Sequence, residues 1–358
     1  MKKKSILMLA CGVLLMAAHS ASANQTLKLK SIGPIAFGEE GVLFVSDPMA
    51  ATIYAVETGD TQGDPSKANL DIKDIKKQIA GMLAAKPEQI QIRDMAVNPN
   101  NGNVYLSVAR GENSIVLKVD AASGKMGEFE LDKAKVTQTK LPNPADDRQT
   151  RRGNARMMSI TDLAYVDGQV YVAGLSNEEF ASNLRAIQFP FEKVSKGSSI
   201  EIYHGAHGAY ETRSPVRTFA AYQINGETNL LAAYTCTPLV RIPVKSLSDK
   251  KGKVKGTTIA ELGNRNRPLD MVVYEKGGKD FILMANSSRG VMKVNLAKVT
   301  EVEPITTRVS GGGTAGVTYE TIKELQGVTQ LDGCGDSKAV VLIETRDGTS
   351  VLKTINLP

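Results

Sequence analysis

The sequence predicts an all-β protein, a six-bladed β-propeller of four-stranded blades with one inserted helix near residues 70–85. Three observations predict it. A unit of short apolar strands and glycine-containing turns recurs from Ile35 through Met95, Leu163, Phe219 and Met271 to Leu331, at steps of 52 to 68 residues. A period of that length, with four short strands per unit, is the mark of propeller blades. Within the second strands apolar residues alternate with others (Val104, Leu106, Val108; Val170, Val172), as half-buried strands require. The last unit has only three strands, and the alternating segment Leu27-Lys28-Leu29-Lys30 offers a fourth. Residues 26–32 are therefore expected to join the last blade and close the ring, which removes an exposed sheet edge.

The chain begins with a processing signal. Lys2, Lys3 and Lys4 precede a short apolar run, Ile6 to Ala18, and Ala21-Ser22-Ala23 is a small-x-small cleavage site. We read residues 1–23 as a signal peptide cleaved near Ala23 and residues 24–358 as one propeller domain, placed in the periplasm or secreted. Cleavage before Cys11 as a lipoprotein would leave only a stub of apolar residues. No later stretch is long enough to span a membrane. Losing the three lysines takes the net charge from +6 to +3, so the basic precursor gives no argument for nucleic acid. With 42% hydrophobic and 23% charged residues, disorder, collagen and coiled coil are excluded. The absence of Trp argues against sugar recognition on Trp platforms.

The first unit reads Ile35-Ala36-Phe37, Val42 to Ser46 and Ile53 to Val56. Residues 61–91 then carry Ile72, Ile75, Ile79, Met82 and Leu83 at helical spacing, with Asp71 as the expected N-cap. Outer strands are expected at Phe129 to Leu131, Ile200 to Tyr203, Thr257 to Leu262 and Thr318 to Leu325. Residues 133–158 read as a polar loop rich in Arg, Asn and Pro, and the lone run Gly311-Gly312-Gly313 as a flexible connector without the Lys-Ser/Thr of a phosphate loop.

The phrase Gly33-Pro34-Ile35-Ala36-Phe37, with Gly41-Val42-Leu43-Phe44-Val45-Ser46-Asp47 and Ile53-Tyr54, resembles an NHL-type blade. The closure in six units is similar to the SMP-30 (gluconolactonase-like) propeller superfamily. That resemblance implies a propeller with its site on one face. In the lactonase branch it also implies a divalent metal held by a Glu that opens the innermost strand of the first blade, with an Asn and an Asp; here that column holds Pro34.

Strands that run up and down a blade send their connections alternately to two faces. Of the 15 Arg, twelve fall in or beside connections of one face, the top: Arg93, Arg110, Arg148, Arg151, Arg152, Arg156, Arg213, Arg217, Arg265, Arg267, Arg289 and Arg346. The opposite loops carry Lys instead, among them Lys125, Lys196, Lys250, Lys251, Lys253 and Lys279. Guanidinium is a planar fork that grips carboxylate or phosphate with paired hydrogen bonds, whereas Lys is a hydrated point charge. We therefore expect an anionic small molecule or an acidic partner surface on the top, held by Arg93, Arg110, Arg213, Arg217, Arg265, Arg267, Asn286 and Arg289. The competing expectation is internal pairing, because Asp94, Asp162 and Asp270 share one repeat column and can cap the central channel.

The two histidines left after cleavage lie in one top loop, His204-Gly205-Ala206-His207, followed by Glu211. Cys236, in Tyr234-Thr235-Cys236-Thr237-Pro238, is placed on the same face. Imidazole, thiolate and carboxylate suit one divalent ion, zinc or copper rather than calcium. Cys334 falls toward the other face, so two free thiols are expected. Glu211, Asp162 or Asp270 are the candidates for a general base, and no Gly-x-Ser-x-Gly elbow is present. The domain is expected to be monomeric, and the alternatives to a binding protein are a metal-dependent hydrolase or lactonase-like enzyme on the same face, and a scaffold subunit of a periplasmic complex that uses loops 133–158 and 177–183.

Overall fold

The structure is a computed structural model that describes residues 27–151, 153–236, 238–247 and 253–358. The expected signal segment with its cleavage point, Arg152, and Lys250 and Lys251 lie outside the described residues. Six antiparallel blades surround a central channel. Their inner strands are Ile35–Phe37, Ile90–Val97, Asp162–Val166, Val216–Ile224, Pro268–Lys276 and Val328–Cys334, and we number the blades in that order. The cores of the blades are the expected apolar strands: Leu43, Val104, Val170, Leu230, Ile282 and Val340, one from each second strand, are fully buried.

Six apolar clusters hold the ring, each filling the space between two neighbouring blades. They also reveal its order. One cluster joins Met95, Leu106 and Leu117 of the second blade to Val340, Leu342 and Leu352 of the sixth. Another joins Tyr105 and Val116 of the second blade to Leu43 and Val56 of the first. A third packs Phe44 and Ile53 of the first blade on Leu163 and Val172 of the third. The second blade thus sits between the sixth and the first, and the first blade meets the third directly.

Two strand exchanges make this order possible. After the third strand of the first blade, Thr52–Glu57, the chain leaves before adding a fourth. It lays Asp71–Ile72 along the outer strand of the sixth blade, with Ile72 opposite Leu352 and Asp71 opposite Lys353. It then builds the whole second blade and returns as Lys135–Lys140 to complete the first, with Tyr54 opposite Gln138. The ring is closed by Asp71–Ile72 and not by residues 26–32. Residues 27–32 form no strand; Leu29 and Ile32 are buried in the cluster between the first two blades. Their backbone is tied to the first blade, since Lys30 N and Ser31 N donate to the Asp47 carboxylate at 2.6 and 3.0 Å. Alternation marks Leu27 to Lys30 as able to pair but does not say with what, and an internal segment takes the edge first.

The same exchange corrects the start of the helix. Helix α1 spans Ile75–Met82, and its N-cap is Asp74, whose side chain accepts from Lys77 N at 3.2 Å. Asp71 and Ile72 extend the apparent helical spacing only because Ile72 is buried from a strand. Ile75, Ile79 and Ala80 pack against the second and sixth blades. Among the described residues no helix is long and apolar enough to cross a membrane.

Candidate functional site

Four carboxylates line the central channel, a cavity of about 370 Å³ among the inner strands. Each accepts a backbone N–H from the next blade round the ring. Asp94 takes Ile35 N at 2.7 Å, Asp162 takes Phe219 N at 2.7 Å, Asp270 takes Leu331 N at 2.8 Å and Asp332 takes Val97 N at 2.7 Å. The amide of Gln330, nitrogen toward them, donates to Asp94 Oδ1 at 2.8 Å and Asp270 Oδ2 at 3.1 Å. Depth in the protein raises all four. Asp162 goes to about 7, with a smaller push from Asp332, and Asp332 goes to about 6. Asp94 and Asp270 lie well above the ordinary carboxylate range, first through burial and then through mutual repulsion with the other channel aspartates. Asp162 and Asp270 therefore stand in the channel as ties between blades and are absent from the arginine-lined cavity described next.

That cavity, about 1090 Å³, opens over the third, fourth and fifth blades. Arg148, Arg213, Arg217, Arg265 and Arg267 line it, with His204, His207, Cys236, Asn266 and Ser287. Its elements come from separate parts of the chain. Arg213 and Arg217 lead into the inner strand of the fourth blade, and Arg265 and Arg267 into that of the fifth. Arg148, Thr150, Ala155 and Met158 come from the 133–158 segment, which is a wall of the cavity as well as, through Lys135–Lys140, a strand of the first blade. Arg148 approaches Asp146 at 4.0 Å, while Arg213, Arg265 and Arg267 make no ion pair with a described residue.

The backbone around these guanidiniums is held in unusual conformations. Cys236 and Arg265 have φ of 63° and 56°, the left-handed region that side chains other than glycine seldom adopt. They are locked to each other's loops, since Cys236 N donates to Asn266 O at 2.9 Å. Asn266 in turn accepts from Asn286 Nδ2 at 3.0 Å and donates to Gly263 O at 2.7 Å. Arg289 Nη2 donates to Asn264 O at 3.0 Å. Gly312, at φ 66°, lies so close that a Cβ would fall 2.1 Å from Asn264 Nδ2. The Gly311–Gly313 run therefore abuts the arginine loop, which its reading as a connector did not include.

Six of the eight expected anion ligands fall on or behind this cavity wall. Arg213, Arg217, Arg265 and Arg267 line it, and Asn286 supports it through Asn266. Arg289 braces the loop from behind. Arg110 lies elsewhere, donating to Leu83 O at 2.6 Å beyond the C-terminal end of α1. Arg93 is exposed, with its carbonyl near the Gln330 amide. Among the residues that the sequence did not single out are Met158, which Arg217 Nη1 meets at 3.7 Å, Asn266 and Ser287 in the wall, and Arg308, packed on Gly208.

At one end of the cavity the histidine loop turns tightly. Gly208 N donates to His204 O at 2.8 Å, and Gly205 brings its N–H to Glu261 Oε1 at 2.6 Å. A Cβ on Gly205 would lie 3.0 Å from Glu261 Cγ, so the missing side chain permits this approach. The Glu211 carboxylate faces both rings: Oε2 is 3.0 Å from His204 Nδ1, and Oε1 contacts His207 Nδ1. The ring centroids are 3.9 Å apart. Burial by itself raises the Glu211 carboxyl, but hydrogen bonds and charge from the two imidazoles outweigh it and hold it at about 2. Burial raises Glu261, and the His204 charge only partly offsets this. Cys236 lines the cavity but stands outside the group in which ligand atoms of His204, His207 and Glu211 lie within 4.8 Å of one another. Both described cysteines are free thiols.

No protein-family model matches the chain, and no curated protein matches it. Solved structures give likenesses of shape. A PQQ-bound aldose sugar dehydrogenase from Streptomyces coelicolor is 12% identical, with a TM-score of 0.35, over 92% of this chain and 95% of that one. A streptogramin B lyase is 9% identical, with a TM-score of 0.36, over 93% and 96%. The extracellular region of plexin A4 is 9% identical, with a TM-score of 0.42, over 92% of this chain and 39% of that one. The chain is a β-propeller by its own strands, and likenesses this distant carry no activity.

Proposed function

We propose that this protein is an exported β-propeller that binds an anionic small molecule in the cavity over its third to fifth blades. One observation carries the reading: five guanidiniums from three separate segments line one concave space, and three of them have no carboxylate partner among the described residues. Structural arginines end on acids or on backbone carbonyls, as Arg110 and Arg289 do, whereas arginines left facing an open cavity hold charge in reserve for a ligand. The volume has room for a ligand bearing more than one carboxylate or phosphate. Export is supported by the Lys2–Lys4 and Ala21-Ser22-Ala23 pattern. The similarity of the six-unit ring to the SMP-30 superfamily agrees with a site on one face of the propeller.

Calorimetric titration with succinate, citrate and inorganic phosphate tests the reading. At least one is expected to bind, more weakly as salt rises. Arg265→Ala with Arg267→Ala is expected to weaken it tenfold or more, since a hydrogen bond to a charged group contributes about 1.5–3 kcal/mol. Wild type that binds none of the three, or a double variant that binds as wild type does, overturns it.

A further inference from the structure

We propose that His204, His207 and Glu211 form a binding site for one divalent transition metal of the zinc class, on the wall of the arginine-lined cavity. The inference goes beyond anion binding and does not depend on it. Three donors of the right chemistry, two imidazoles whose Nδ1 atoms face Glu211 and the Glu211 carboxylate, each have a ligand atom within 4.8 Å of the others. Two imidazoles and one carboxylate are a ligand set of catalytic zinc, which keeps one position of its tetrahedron for water or substrate. His204 and His207 both line the cavity, so the remaining position belongs to the space where the arginines gather.

The surroundings of His204 favour the same assignment. His204 is 2% exposed, and its Nε2 has no hydrogen-bond partner among the described residues. Glu261, 1% exposed, likewise has Oε2 without a partner, and it lies near enough for the His204 charge to act on its carboxyl. A metal on Nδ1 leaves Nε2 as the donor nitrogen of the ring. A carboxylate that accepts from that second nitrogen is the usual support of a metal-bound histidine. The two atoms do not bond each other here, so Glu261, held in place by Gly205 N, is assigned as the positioning residue that would accept from His204 Nε2 once the ion is bound. Two carboxylates beside the ion also offset the repulsion that the neighbouring guanidiniums exert on a dication.

For the ion to bind, the hydrogen that faces Glu211 from each Nδ1 must leave that nitrogen, and in a neutral imidazole it passes to Nε2 of the same ring without net release of a proton. No bond in any substrate is broken in this step. The open position supplies a place for a carboxylate or phosphate oxygen of the ligand, which the arginines hold at its other end.

The experiment uses the untagged, chelator-treated full chain, titrated with zinc alone by calorimetry and with cobalt alone by visible absorption. Wild type is expected to bind one equivalent and to give the intense d–d bands of four-coordinate cobalt. His207→Ala and Glu211→Gln are each expected to weaken zinc at least tenfold. His207 is exposed, so its removal leaves the fold in place, and circular dichroism confirms this for both. Glu261→Gln is expected to lower affinity less and to shift the cobalt spectrum, a change that loss of packing alone does not produce. Cys236→Ala is expected to bind as wild type does. No stoichiometric uptake by wild type, uptake unaffected by His207→Ala and Glu211→Gln, or loss of uptake in Cys236→Ala overturns the assignment. Anion binding is measured separately with inorganic phosphate on the metal-free chain, so either reading can fail alone.

Discussion

Arg265 and Cys236 show how single residues set this site. Both sit in a backbone region that costs an ordinary side chain on the order of 1–2 kcal/mol, and the bonds from Cys236 N to Asn266 O and from Asn286 to Asn266 keep them there. Charge is supplied by the arginines, but their placement is supplied by neutral neighbours. Gly312→Ala tests this: φ of 66° and a Cβ at 2.1 Å from Asn264 Nδ2 force the Arg265 loop to move. Anion affinity is expected to fall severalfold in calorimetry although no charge is removed. Unaltered affinity would show that the loop is placed by other contacts.

At the scale of the element, the crossover from the first blade to the sixth decides the topology. Asp60 anchors it. Its carboxylate accepts from Asn101 Nδ2 at 2.8 Å, Asn103 Nδ2 at 2.9 Å and Tyr105 OH at 3.1 Å, and pairs with Lys118 Nζ at 2.8 Å. Burial opposes the charge, yet Lys118, Asn103 and Tyr105 together hold the carboxyl below its ordinary value. Removing one partner of such a network leaves the others desolvated and unpaired. Asp60→Ala is expected to cost roughly 1–3 kcal/mol in chemical denaturation. Asp64→Ala, on the exposed part of the same segment, is expected to change stability by about 0.5 kcal/mol or less. Equal effects of the two would remove Asp60 from this role.

For the whole molecule, the channel carboxylates give the ring a characteristic dependence on pH. Their folded pKa values lie above the unfolded value of 3.8, with Asp162 at about 7 and Asp332 at about 6. Between these limits the folded protein binds more protons than the unfolded chain, so stability falls as pH rises. The contribution is complete below pH 3.8 and is lost as pH passes 6 to 7. Asp94 and Asp270, also raised, act in the same direction. Glu211, at about 2, does not titrate in this range. The urea midpoint is expected to be higher at pH 5 than at pH 8, and a midpoint that rises from pH 5 to pH 8 would contradict this account of the channel.

Alternation, turn glycines and the repeat period reported which residues are strands, because those signals depend on nearest neighbours and on burying one face. They also placed Arg213, Arg217, Arg265 and Arg267 on one face and put His204, His207 and Glu211 in one loop. Tertiary structure alone decided which strand edge pairs with which. Asp71–Ile72 and Lys135–Lys140 are short segments with no local mark of their partners, and the inner strands look alike whichever blade stands beside them. For the same reason Glu261, distant in sequence from His204, and the 133–158 wall of the cavity were visible only once the chain had packed. Ring order is a property of the six interfaces between blades, and an interface is written in two distant stretches of chain at once.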